Sequence, residues 1–254
     1  SSLETNDAAT EANQGQERRP VRTVMAQPLF ILSCTIATVA HTVMVMLMSN
    51  CSLAMDARDY SFSDQTFVME FHFCAMFLPG FYTGRLIKAY GSFKASLLGA
   101  VIFTMSAAVF ASGTDNVNFY LGMILLGLAW NMSFSAGTVM LTDCYRASEA
   151  PDVQAVNDLI LFSVAGVGSI ISGLIYSAYG WGALVFSVSG MMVVNLALLL
   201  CATTIKKDEA NDRERFQSLS ERIAQYSSDQ ESLNLDTNVM RLSYAEKVRS
   251  ISVA

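Results

Sequence analysis

Residues 28–48 read PLFILSCTIATVAHTVMVMLM, 21 consecutive positions without one formally charged side chain. A helix rises 1.5 Å per residue, so a run of this length covers the roughly 30 Å hydrocarbon core of a bilayer. Pro28 suits the first turn of a helix, where its missing N–H has no partner to lose. Outward from this stretch the pattern repeats. Runs of similar length and polarity fall at about 66–88, 93–112, 118–141, 153–178 and 182–204. With 27–49 they predict six transmembrane helices. The connections are polar: Asp56, Arg58, Asp59 and Asp64 in 50–65, GTDNV at 113–117, and the charged loop TDCYRASEAPD at 142–152, which holds Arg146 and Glu149. AYGWG at 178–182 reads as a tight turn with Trp181 at interface depth.

Composition agrees with a membrane protein. Of 254 residues, 52% are hydrophobic and 15% charged, against about 25% charged in an ordinary soluble domain. The charge sits at the ends: 7 of 38 charged residues lie in 1–26 and 17 in 206–254. The expected organisation is a disordered N-terminal segment over 1–26, a six-helix domain over 27–205 and a polar tail over 206–254. In that tail Phe216, Leu219, Ile223 and Tyr226 recur at helical spacing, consistent with a short amphipathic surface helix. Lys and Arg set the orientation. Arg18, Arg19, Arg22, Arg85, Lys88, Lys94, Arg146, Lys206, Lys207, Arg213 and Arg215 fall on one side and only Arg58 on the other. Positive residues mark cytoplasmic loops, so both termini are expected in the cytoplasm. The chain opens Ser1-Ser2-Leu3 with no methionine, from which a fragment or processed product is expected.

Several classes are disfavoured. No basic tract is dense enough for nucleic acid. The five cysteines lack CxxC spacing, and no metal site or cofactor is expected; Cys51 is expected in an outside loop. No GxSxG, HExxH, GxxxxGK[ST] or strand-linked GxGxxG occurs, so no enzyme is expected.

A charge near the bilayer centre costs at least about 2.5–3.5 kcal/mol, so those retained mark function. Only two carboxylates, Glu70 and Asp158, lie inside the spans and not at their ends, Glu70 one turn or less from the outer face and Asp158 roughly 8 Å from the cytoplasmic one. Depth at 1.5 Å per residue puts Asn131, Asn157 and Asp158 at similar heights, a possible polar cluster. Asp158 has two readings: a proton-coupling or substrate-orienting group, or a carboxylate that caps a helix or pairs with Arg146. Glu70 reads as an interfacial acid, His72 as a cavity-lining or interhelical group, and His41 as a helix-packing side chain. Pro79-Gly80 predicts a kink. Gly166, Ser169 and Gly173 supply small residues for close helix packing.

Gly84-Arg85-Leu86-Ile87-Lys88-Ala89-Tyr90-Gly91-Ser92-Phe93-Lys94 resembles the G-x-L-x-D-R-x-G-R-x-x loop signature of the major facilitator superfamily. Gly84, Leu86, Gly91 and Lys94 match, while Lys88 stands at the aspartate position and Ala89 at the arginine. Residues 72–84, Leu125 to Asn131, Glu149 through Gln154 to Asn157-Asp158, and Ser172-Gly173 with Gly180-Trp181 are similar to a largely bacterial branch of that superfamily. The resemblance implies an all-α half bundle, helices seven to twelve of a twelve-helix secondary transporter. It implies a small-molecule solute, bound near the midplane between halves, and a partner N-terminal six-helix half from the same gene or a separate chain. Proton coupling is the simplest expectation for the solute's driving force. The alternative is a non-transporting membrane scaffold that binds partners through its tails.

Overall fold

A computed structural model describes residues 18–200; the C-terminal tail, its expected amphipathic helix and Cys201 lie outside the described residues. Leu200 opens a second unit, and the account below concerns the first, which ends at Leu199. The described residues are helical, with no strand among them. In chain order the helices are α1 (Val21–Met25), α2 (Pro28–Asp56), α3 (Phe62–Phe77), α4 (Gly80–Tyr90), α5 (Ser92–Ser112), α6 (Asn116–Thr142) and the helical run α7 (Ala147–Leu200), whose first turn is 3₁₀. Four of them, α2, α5, α6 and α7, are long and apolar enough to cross a membrane.

α2 begins with Pro28 in its first turn, as the sequence predicts, and extends beyond the expected end to Asp56. The extension corrects the placement of Cys51, which is fully buried in the helix. The reason is spacing: Leu47, Cys51, Ala54 and Met55 continue one apolar face. The polar Asn50 beside them is satisfied, since its Nδ2 donates to Met46 O and Ser172 Oγ.

The expected second span is broken into α3 and α4. Ser61 caps α3, its Oγ accepting from Asp64 N–H at 3.1 Å. The helix stops at Pro79, which has no N–H to offer and whose ring opposes the carbonyl of the preceding turn. It restarts when Tyr82 and Thr83 donate to Pro79 O at 2.8 and 2.9 Å. α4 ends at Gly91, whose φ of +88° and ψ of 149° lie in a region reserved for glycine. That residue lets α5 begin at Ser92 with no further loop.

α7 spans 54 residues, about 80 Å if straight, far more than a bilayer is thick. Its neighbours show that it doubles back. Before Gly180, Phe162 meets His41, Ser172 meets Asn50 and Tyr176 meets Leu53, so the run climbs parallel to α2. After Gly180, Trp181 packs on Phe110 and Phe119, and Leu199 lies with Ile36 near the start of α2. Gly180 has φ +78°, and the reversal falls there, in the AYGWG turn. Trp181 is buried between two phenylalanines.

α6 lies at the centre. It runs parallel to α3 and antiparallel to α2 and α5, as the pairs His72–Met123, Met76–Asn131, Ala37–Gly137 and Phe110–Gly122 require. Small residues let these backbones approach. A Cβ added at Gly127 would stand 2.7 Å from His72 O, and one at Gly99 2.9 Å from Ser133 N. The same device joins α2 to α7, where a Cβ at Gly168 would meet Thr42 at 2.6 Å. Gly166 and Gly173 meet nothing within 4 Å among the described residues.

At the other end of the bundle, residues 18–26 are ordered, within the segment expected to be disordered. Val24 is fully buried against Phe30, Cys34, Leu141, Cys144 and Val153. That burial, joined to the ion pair described below, holds the short helix α1 in place.

Candidate functional site

The sequence-derived polar cluster is divided. Asn131 belongs to the α3–α4 break: its Nδ2 donates to Met76 O at 2.7 Å and its Oδ1 accepts from the Thr83 hydroxyl. It therefore satisfies the Met76 carbonyl at the break between the two helices. Asn157 Nδ2 donates to the adjacent Asp158 Oδ1 at 3.2 Å. Among the described residues Asn131 bonds to neither Asn157 nor Asp158. His72 is fully buried between α3 and α6, its Nδ1–H donating to Met123 O at 2.8 Å. Of the two readings for His72, this geometry is interhelical bonding.

Glu70 and Asp158 are both exposed on the bundle surface. Each shares a helix face with an exposed phenylalanine. Phe77 stands seven residues from Glu70 on α3, two turns along the same stripe, and Phe162 stands four from Asp158 on α7. Phe77 and Phe162 are each 61% exposed. The aromatic cluster between them went unnoticed in the sequence. Trp130 and Phe134, one turn apart on α6, stack with centroids 4.8 Å apart and planes at 14°. Phe77 meets Trp130 edge-on at 6.2 Å. His41 on α2 lies 6.2 Å from Trp130 and 6.0 Å from Phe134, and Phe162 meets it edge-on at 5.4 Å. The Trp130 indole N–H donates to His41 Nδ1 at 3.3 Å.

Four helices thus contribute to one connected cluster of partly or largely exposed rings. The registers place its two carboxylates at opposite ends: Asp158 toward the start of α2, Glu70 toward the Met123 end of α6. Trp130, Phe134, Phe77 and Phe162 had a weak signal, since an aromatic in an apolar run is core by default. Their spacing places them on a shared face only once the helix pairing is known.

The loop residues lie elsewhere. Leu86 packs with Ile87, Ala95 and Ala136. A Cβ at Gly84 meets nothing within 4 Å, Gly91 makes the turn, and Lys94 is exposed. Glu149 is buried and held from three sides. Arg19 engages it through both Nε at 2.9 Å and Nη2 at 2.7 Å, and through its backbone N–H at 2.9 Å. The Arg146 N–H donates to Glu149 Oε2 at 3.0 Å. The Arg19 guanidinium, and then the Arg146 N–H, hold the Glu149 carboxyl far below the usual carboxylate range. Arg19 Nη2 and Gln27 Nε2 both donate to Cys144 O at 3.1 Å. This clasp ties the segment before α2 to the loop before α7.

The family model of the Major Facilitator Superfamily matches residues 17–242. The chain is 32% identical to Riboflavin transporter RfnT of Brucella anthropi over 185 residues, 72% of this chain and 46% of that protein. Two proteins of Bacillus subtilis, the uncharacterized MFS-type transporters YdeG and YddS, are each 25% identical, over 61% and 69% of this chain and 36% and 39% of their own lengths. The chain spans less than half the length of these relatives.

Proposed function

The chain belongs to the major facilitator superfamily, a family of transport proteins and not of enzymes, and on that premise we propose that it serves as one half of a secondary transporter moving a small solute by alternating access. It is an integral, multi-pass membrane protein. The reading adopted is six crossings: α2, the broken pair α3–α4, α5, α6, and the two limbs of α7. Both termini lie in the cytoplasm on this reading, from the Lys and Arg distribution. The partner is a second six-helix half, with the solute bound between the two.

One observation carries the proposal. Asp158 and Glu70, two carboxylates inside apolar spans, are exposed on the bundle alone. Facing lipid, such a carboxylate costs more the deeper it sits, reaching at least about 2.5–3.5 kcal/mol at the bilayer centre. A face that bears both is turned to water or to another protein surface, which is what a solute path between two halves provides. Asp158 is the group assigned to proton coupling or to orienting the solute. Because RfnT is named a riboflavin transporter, riboflavin is the first solute to try.

The test is uptake by the full-length gene product in proteoliposomes under an imposed proton gradient. Saturable riboflavin or other solute uptake is expected, and Asp158→Asn is expected to lower it about a hundredfold or more, the lower end of the range for a positioned proton-transfer group. Absence of flux for every solute and gradient overturns the transport assignment. Unchanged flux in Asp158→Asn overturns the role given to that residue.

A further inference from the structure

We propose that the cavity beside Arg58 binds a phospholipid whose headgroup carries a primary ammonium, of the phosphatidylethanolamine class. The site shares no residue with the face assigned to the solute, and the inference goes beyond the transport reading. The cavity measures about 420 Å³ and is lined by Arg58 after α2, Phe110 and Thr114 at the end of α5, and Trp181, Val185 and Phe186 on the second limb of α7. That volume lies within the range of small-molecule sites. Its inner wall is apolar and fixed: Phe110 and Trp181 meet edge-on at 5.3 Å, and both are buried, as is Val185. Its outer wall is open, since Phe186 is 81% exposed. The limb from 181 to 199 carries no charged side chain. In a membrane protein such an uncharged, exposed limb faces acyl chains, so the cavity opens toward lipid.

The polar side of the cavity sets the headgroup. On the six-crossing reading Arg58 is the only Lys or Arg at this end of the bundle. Its Nη1 donates to Ala54 O at 2.6 Å, and its guanidinium carbon stands 6.0 Å from the centre of the Phe119 ring. Among the described residues its Nε and Nη2 make no hydrogen bond and it pairs with no carboxylate. These two atoms form one edge of the guanidinium fork, the edge that Arg19 offers Glu149, and it matches two oxygens of a phosphate. A purely anionic headgroup meets opposition there. Asp59 and Asp115 are exposed and adjoin the lining residues Arg58 and Thr114 in the chain. A phosphate for Arg58 joined to an ammonium for the aspartates satisfies both signs. A choline group lacks N–H donors, and a glycerol group supplies no cation.

The test is native mass spectrometry of the full-length protein, titrated separately with phosphatidylethanolamine, phosphatidylcholine and phosphatidylglycerol. Phosphatidylethanolamine is expected to fill one site at least about fivefold more tightly than either other lipid, the scale of one hydrogen bond to a charged group. Arg58→Gln is expected to weaken it about tenfold, with Arg58→Lys between the two, because Lys keeps the charge and loses the fork. Asp59→Asn with Asp115→Asn is expected to abolish the preference over phosphatidylcholine; asparagine tolerates the φ of +61° at Asp59. Ala111→Trp, at an exposed position of the lining, is expected to block the site by filling it. Arg85→Gln, exposed on α4, is expected to change nothing. Thermal midpoints show that each variant is folded. Binding of phosphatidylethanolamine that survives in folded Arg58→Gln and Ala111→Trp overturns the site. Equal or tighter binding of phosphatidylglycerol, or a preference untouched by the aspartate changes, overturns the headgroup class. Displacement of the lipid by equimolar phosphoethanolamine, the headgroup without chains, overturns the lipid as the ligand. None of these outcomes bears on solute uptake, so the transport reading stands or falls apart from them.

Discussion

At the scale of single residues, the clasp on Glu149 shows how a local charge acquires a structural role at a distance. The sequence places Glu149 beside Arg146 in a charged loop, and that much is legible from three residues of spacing. Its main partner, Arg19, lies 130 positions away in a segment whose polar composition reads as disorder. No periodicity marks such a pair; only the fold brings it together. The carboxyl is held low in the folded protein, against about 4.3 in an unfolded chain. Its stabilisation is therefore complete above that value and lost as pH falls through the folded pKa. Glu149→Gln is expected to lower the thermal midpoint at pH 7, and the gap from the parent is expected to close as pH falls below about 4. A gap that stays constant across this range would contradict the assignment of the ion pair as the cause. His41 teaches the complementary lesson. A histidine among Val, Thr and Met reads as packing, yet its Nδ1 accepts from the Trp130 indole N–H, a partner that only the fold supplies.

At the scale of elements, the four helices long and apolar enough to cross a membrane fall within apolar runs legible in the sequence, because hydrocarbon thickness sets the length of such runs. What the runs concealed was interruption and persistence. Proline in 72–84 signalled the break between α3 and α4, but the repair by Asn131 depends on α6 lying alongside. The AYGWG turn was visible, and Gly180 supplies its reversal. The small residues of α7 were visible too, yet which of them meet a neighbour depends on helix rotation. Gly127 on α6 illustrates the consequence. A Cβ there would stand 2.7 Å from the backbone oxygen of His72 and 3.1 Å from Met76 N, and backbone cannot swing aside as a side chain can. Gly127→Ala is expected to destabilise the α3–α6 contact by about 1–3 kcal/mol, the range for overpacking a tight site. Gly166→Ala, with open space around it, is expected to leave the thermal midpoint unchanged or slightly raised. Equal effects from the two substitutions would show that α3 and α6 do not meet at that register.

At the scale of the whole molecule, one face brings the exposed Glu70 and Asp158 together with a cluster of rings, while other exposed aromatic and aliphatic side chains are spread over the described residues. The class of fold was legible because twenty-residue apolar runs admit few structures in a bilayer. The face was not, because Glu70, Phe77, Trp130, Phe134, Asp158 and Phe162 are scattered over three helices and become neighbours only through the packing of α6 against α3 and α2. That face is the central claim: it lines a water-filled path and not lipid. Thiol labelling of Phe162→Cys tests it most directly, in the full-length protein in sealed vesicles with all its native cysteines replaced by alanine. A charged, membrane-impermeant reagent is expected to label this position readily, because Phe162 is exposed one turn from Asp158. A cysteine that resists the charged reagent from both sides of the vesicle, yet reacts with a lipid-soluble maleimide, would place this face in the hydrocarbon and contradict the account.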